Sequence, residues 1–287
     1  MNFGNPMERL NKDSIGRNAE GVPLTIEGAY PKAKKTLDDA AIDPKNFSDL
    51  YGEDNIKRDI EEVKRLETSF EHDGSTKTSQ VFEAIMFDSE LYNWFGEKSE
   101  TIKTSRYDDI KNGTDMLVEF EDPGKRFSHL GLAVDVTFGT TALEKKLSRI
   151  KDEIDRGELS KIKYFFSERE HFRGERSNIP RVVVGLEERR VVELASLWMN
   201  KKNEALSAHP AQYAILEEIK NQLETLKDYA KRTGKEELVA IYEKDLSMIQ
   251  GVLSEKRKGL SAADEIIKDD RVFRGIAEGL SIFRKNG

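Results

Sequence analysis

The ten residues His129–Phe138, HLGLAVDVTF, constrain this chain most. A short apolar run of this kind reads as a strand covered on both faces. Such a strand requires a layered protein, with helices or a second sheet on either side of it. Within the run stand one carboxylate, Asp135, and one hydroxyl, Thr137. Strand side chains alternate, so Asp135 and Thr137 share one face while Val134, Val136 and Phe138 share the other. An isolated buried carboxylate is expensive, so Asp135 is paired, neutralised or used.

The flanking sequence supplies the layers. Ile56, Ile60, Val63, Leu66 and Phe70 recur at three- and four-residue spacing and predict an amphipathic helix over 55–70, ended by HDGST (72–76). A second helix is predicted over 78–95, with Val81, Phe82, Ile85, Met86, Leu91, Tyr92, Trp94 and Phe95 on a broad apolar face. Two strand-like runs then flank Asn112-Gly113, a hairpin signal, and EDPGK (121–125) makes the next turn before the His129–Phe138 strand. Beyond it come a helix over 141–156, a fourth strand KIKYFF (161–166), a charged loop, a fifth strand RVVVGLE (181–187) and a helix over 188–200.

The expected architecture is therefore mixed α/β, an αβββαβ core over 73–200. It is preceded by 1–72, an extended arm (with one short helix near 31–41) and the first amphipathic helix. It is followed by 201–287, a helical hairpin and a final helix. The hairpin rests on two seams, Tyr213-Leu216-Ile219-Leu223-Leu226-Tyr229 and Leu238-Tyr242-Leu246-Ile249-Leu253, ending near Gly234 and Gly259. Ser261 with Asp264 resembles an N-cap for the final helix.

Composition narrows the chemistry. The 287 residues include no cysteine, which removes a disulfide framework, thiolate-bound zinc and thiol catalysis. The net charge of −7 does not advertise nucleic-acid binding, although a local basic cleft can sit on an acidic protein. No apolar run reaches the ~18–20 residues of a membrane span, and the first residues lack a signal-like apolar stretch. A soluble, cytoplasmic protein is the expectation, with no membrane partner.

Asp115 opens a strand directly after the Lys111–Thr114 turn. Adjacent strands would bring Asp115 and Asp135 together, with Glu83 on the helix above. Three clustered carboxylates repel one another, and a hard cation such as Mg²⁺ resolves that conflict. Read alone, Asp115 also fits turn chemistry, Asp135 a structural ion pair, and Glu83 a solvated helix charge.

The order helix, three strands, helix, strand, with Asp115 after the turn and Asp135-Val136-Thr137 on the next strand, resembles the PD-(D/E)XK nuclease superfamily, the restriction-endonuclease-like fold. The resemblance covers roughly residues 77–200. It implies Mg²⁺ or Mn²⁺ held by Asp115, Asp135 and the Val136 carbonyl, with Glu83 assisting, and hydrolysis of DNA or RNA phosphodiesters. Thr114 stands where the motif has Pro, and Thr137 where it has Lys. The lysine would then come from a neighbouring element: Lys145 or Lys146 on the following helix, or Lys161 or Lys163 on the next strand.

The leading expectation is a metal-dependent nuclease. The alternative is the same fold without catalysis, a nucleic-acid-binding or assembly module whose C-terminal helices meet a partner or a second copy. The acidic YDD (107–109) reads as a solvated hairpin end and His129 as a surface turn residue. The loop 167–181, with Arg169, Arg173, Arg176 and Arg181, reads either as a phosphate contact or as solvated loop.

Overall fold

The computed structural model describes residues 16–68, 74–122, 124–135, 140–256 and 260–284. In chain order its longer elements are α1 (Leu24–Ala40), α2 (Ser48–Tyr51), α3 (Glu53–Glu67), α4 (Gly74–Phe87), β1 (Ser99–Lys103), β2 (Met116–Glu121) and β3 (Phe127–Asp135). There follow α5 (Thr140–Arg156), β4 (Ser160–Ser167), β5 (Phe172–Ile179), β6 (Arg181–Gly185), α6 (Glu188–Met199) and α7 (Asn203–Ser207). The chain closes with α8 (Ala211–Arg232), α9 (Glu236–Glu255), α10 (Leu260–Asp269) and α11 (Arg271–Gly279).

The central sheet has the order β1-β2-β3-β6. β1, β2 and β3 form an antiparallel meander, and β6 joins β3 in parallel. Parallel neighbours need a crossover, and α5 lies in it. Met116, Val118, Phe120, Leu130 and Leu132 face the main core with residues of α1, α4 and the C-terminal helices. Leu117, one residue out of phase, packs instead against Ile162, Phe165 and Ile179 of the β4–β5 hairpin. The alternation of β2 thus divides between two covering layers, which is why its apolar run is continuous.

Two sequence expectations about strands change. KIKYFF does not extend the central sheet: β4 pairs with β5 in a separate two-stranded sheet. β5 itself lies within the segment read as a charged loop. Its charged side chains alternate with Gly174 and Ile179 on an outer hairpin strand, so it carries no apolar run by which to recognise it. Asn112-Gly113 closes a helical turn over Asp108–Asn112 rather than a two-residue hairpin, with Gly113 at φ +65. The turn at 121–125 is as expected: Asp122 accepts hydrogen bonds from the Gly124 and Arg126 backbone N–H groups and from Arg126 Nε.

The segment expected as an arm contains α1, 17 residues long, and its Ile26, Ala29, Ala33 and Leu37 are buried in the core. Two alanines at the seam allow α1 to lie close to α4, but small residues and an internal Pro31 weaken the sequence signal for a helix. Residues 1–15 lie outside the described residues.

The C-terminal hairpin of α8 and α9 forms as the seams predict, and it also docks on the sheet. Gln222 Oε1 accepts from Val183 N–H at 2.9 Å while its Nε2 donates to Val183 O at 2.6 Å. Glu218, one turn earlier, accepts from Gly185 N–H at 3.0 Å. Two side chains of α8 thereby satisfy the backbone that β6 exposes as an edge strand. Asp270 caps α11 through Val272 and Phe273 N–H and ties it to Glu187 N–H, so the last cap is Asp270. Among the described residues no helix is long and apolar enough to cross a membrane.

Candidate active site

Asp115 sits where the β1–β2 connection enters β2, and the backbone clamps it from both sides. Its N–H donates to Leu132 O at 2.9 Å, and its Oδ2 accepts from Val134 N–H at 2.6 Å. Its carbonyl accepts from Lys103 Nζ at 2.7 Å and Thr104 Oγ1 at 2.9 Å. Gly131 permits this close packing, because a Cβ there would stand 3.1 Å from Thr114 Cγ2. The Val134 peptide is held at its other end too: Lys146 Nζ, from α5, donates to Val134 O at 2.9 Å.

Around Asp115 gather Glu83 of α4, Lys103 of β1 and Asp109 of the connecting turn. Lys103 Nζ lies 2.9 Å from Glu83 Oε1 and 3.8 Å from Asp109 Oδ2, and only 6% of its side chain is exposed. Arg106 Nη1 reaches Asp109 Oδ2 at 2.6 Å. Burial works against the Lys103 ammonium, yet Glu83, Asp109 and Asp115 together raise its pKa above the usual lysine value.

The Asp115 carboxyl is harder to ionise than an ordinary surface carboxylate. Burial, then the like charges of Asp109 and Glu83, push it well above its usual range, with Lys146 and Lys103 opposing. Burial would raise Asp109 as well, but Lys103, Arg106 and a hydrogen bond with Asp115 hold it low. The pair therefore favours a protonated Asp115 carboxyl beside an ionised Asp109, the usual resolution when two carboxyls share one site.

The fold thus brings Glu83 and Asp115 to one place. Asp135 ends β3 opposite Gly185 of β6, two residues beyond Ala133, and only its backbone is described. Val136 and Thr137 lie outside the described residues. Of the four lysine candidates, Lys146 is the one whose charge acts on Asp115. Lys145 and Lys161 are exposed, and Lys163 pairs with Asp59 of α3.

Sequence reasoning missed Lys103 and Asp109. YDD was the available signal, and it divides. Asp108 is fully buried and accepts from Lys163 and Tyr164 N–H, tying the turn to β4, while Asp109 turns to the cluster. Lys103 ends a five-residue strand in alternating burial, where a charged side chain gives no hint that it points inward.

A second group lies under the β4–β5 hairpin. His129 is buried on β3 rather than placed in a surface turn. It faces its cross-strand partner Glu119, with Nε2 to Oε2 at 2.9 Å, and stands 3.7 Å from Glu170 Oε2. Arg176 pairs with Glu170, so Glu119, His129, Glu170 and Arg176 form one chain of polar contacts under the hairpin. The other arginines of this region are also committed to acids: Arg169 to Glu121, Arg173 to Asp49 and Arg181 to Glu153.

Searches with this chain found no matching family model, curated protein or solved structure.

Proposed function

We propose that the chain is a metal-dependent nuclease of the restriction-endonuclease-like kind, hydrolysing phosphodiester bonds of DNA or RNA at the Asp115 cluster. One observation carries the reading: Asp115, Asp109 and Glu83 converge with Lys103 and Lys146 where β2 begins and β3 ends. The element order around them is α4, β1, β2, β3, α5 and, after an inserted hairpin, β6, an αβββα core closed by a parallel strand.

The donor set suits a hard divalent cation. It is rich in oxygen, and the Asp115 carboxyl is unfavourable as an anion in the protein alone, a deficit that a cation would relieve. Asp115 would hold Mg²⁺ or Mn²⁺, with Asp135 and the Val136 carbonyl as the other protein ligands the resemblance implies. Such an ion supplies Lewis-acid stabilisation of charge on the reacting phosphate and an activated water.

The chain's own residues do the rest. Glu83 holds Lys103, and Lys103 grips the Asp115 carbonyl, fixing the carboxyl relative to β3. Lys146, anchored on Val134 O, carries the positive charge that the motif lysine would provide, taking the place left by Thr137. Asp109, itself balanced by Arg106, hydrogen-bonds the Asp115 carboxyl, which would give up its proton on holding the ion.

The alternative is the same fold without catalysis, binding nucleic acid or serving in assembly. It is favoured by the counter-charges Lys103 and Arg106, which already balance two of the three acids. Incubation with labelled DNA and RNA in Mg²⁺ or Mn²⁺ separates the two. Wild-type protein is expected to cleave, and Asp115→Asn and Lys146→Ala to lose about a hundredfold or more of the rate while retaining the wild-type circular dichroism spectrum. Cleavage by Asp115→Asn at the wild-type rate would sink the site, and binding without cleavage would select the alternative.

A further inference from the structure

We infer that the acidic face of α3 covers a track of cations beside the candidate site and competes there with the phosphates of a nucleic acid. The inference rests on the nucleic-acid reading above and adds a regulation to it.

α3 turns three carboxylates toward the β1–β2 connection and β4. Glu62 reaches Lys111 at 2.5 Å, Glu67 reaches Arg106 at 2.5 Å, and Asp59 pairs with Lys163. From Asp59 to Glu67 is eight residues, or roughly 12 Å along a helix, so the acids form a short line of negative charge. Arg106 and Lys111 come from the β1–β2 connection and Lys163 from β4.

Arg106 makes the link to the site direct. One side of its guanidinium holds Asp109, which is hydrogen-bonded to Asp115, and Nε holds Glu67 of α3. Arg106 and Lys111 keep 49% and 35% of their side chains exposed, enough for an incoming anion to reach them. Partly exposed ion pairs of this kind contribute only about 0–1 kcal/mol each, so a phosphate can displace a carboxylate at little cost.

α3 is also lightly held. Ile56 and Val63 are its only buried residues, and Ile56, with Ile60 beside it, packs into the small cluster around Phe47 and Tyr164 rather than the main core. On a chain of net charge −7, a cationic track needs its local acids moved aside before a polyanion can bind.

The test uses the full chain in EDTA, where cleavage cannot interfere, and fluorescence anisotropy of labelled single- and double-stranded DNA and RNA over 50–200 mM salt. The Glu62→Gln/Glu67→Gln variant is expected to bind at least about tenfold more tightly than wild type at 100 mM salt, with a salt slope steeper by about 1–2, as further counterions are released. The Asp54→Asn/Glu61→Gln variant loses the same charge from exposed positions of α3 and is expected to stay within about twofold of wild type. Adding Arg106→Ala and Lys111→Ala to the first variant is expected to abolish its gain.

Equal affinity of wild type and Glu62→Gln/Glu67→Gln, or an equal gain in the control variant, would overturn the inference, as would absence of binding by every variant. A chain whose affinity rises as expected yet cleaves nothing upholds the inference and ends the nuclease reading. A wild-type protein that cleaves, with an affinity indifferent to Glu62 and Glu67, does the reverse.

Discussion

Replacing Asp245 by Asn is expected to remove a pH dependence of stability that the fold builds into the junction of α9 with the sheet. Asp245 is 1% exposed. Its Oδ1 accepts a hydrogen bond from Ser128 of β3, while Oδ2 has no hydrogen-bond partner among the described residues. Burial pushes its pKa to about 7, with Ser128 and the Lys244 charge opposing. In the unfolded chain an aspartate titrates near ~3.9. Between those values the folded protein keeps a proton that the unfolded chain has released, so stability falls as pH rises and levels off above about 7.

From pH 5 to pH 8 the group traverses roughly two pH units of that window, which amounts to about 3 kcal/mol at 1.36 kcal/mol per unit. Asn keeps an acceptor for Ser128 and cannot ionise. Urea unfolding of both proteins at pH 5 and pH 8 measures the effect through the midpoint and slope. The difference between the two proteins should move by about 3 kcal/mol in favour of Asp245→Asn as pH rises. Parallel stability curves across that range would refute the assignment of a buried, proton-holding carboxyl to Asp245.

Gln222→Ala removes both hydrogen bonds to Val183 and leaves a buried N–H and C=O at the β6 edge, so urea unfolding should show a loss of about 2–4 kcal/mol; a loss below about 1 kcal/mol would mean that solvent or a neighbour replaces them. Arg181→Leu removes the two hydrogen bonds donated to Glu153 at 2.9 and 3.0 Å and leaves that carboxylate to the partly exposed Arg149 at 3.4 Å, so it should cost about 3 kcal/mol by the same assay. Adding Glu153→Leu should restore most of that loss, because a buried pair removed as a unit leaves no uncompensated charge.

The sequence by itself determined the elements whose patterns are local. The His129–Phe138 run announced a strand covered on both faces, and β3 is one through Asp135. The seams of α8 and α9 announced a helical hairpin, and five of the six residues in the first, Leu216 through Tyr229, are buried. EDPGK announced the turn that Asp122 closes. Periodicity and turn chemistry are written in neighbouring residues, so they survive reading in one dimension.

Tertiary structure decided what depends on partners distant in the chain. α1 is a helix because Ala29 and Ala33 let it lie against α4, a gain invisible in its own weak periodicity. β5 is a strand because β4 lies beside it, despite its charged sequence. At the candidate site, the approach of Glu83 to Asp115 was legible, but Lys103, Asp109 and the reach of Lys146 to the Val134 carbonyl were not. Whether a charged side chain points inward is set by how β1, α4 and α5 meet. Burial and electrostatic coupling are properties of that meeting. A sequence specifies them only through the fold it produces.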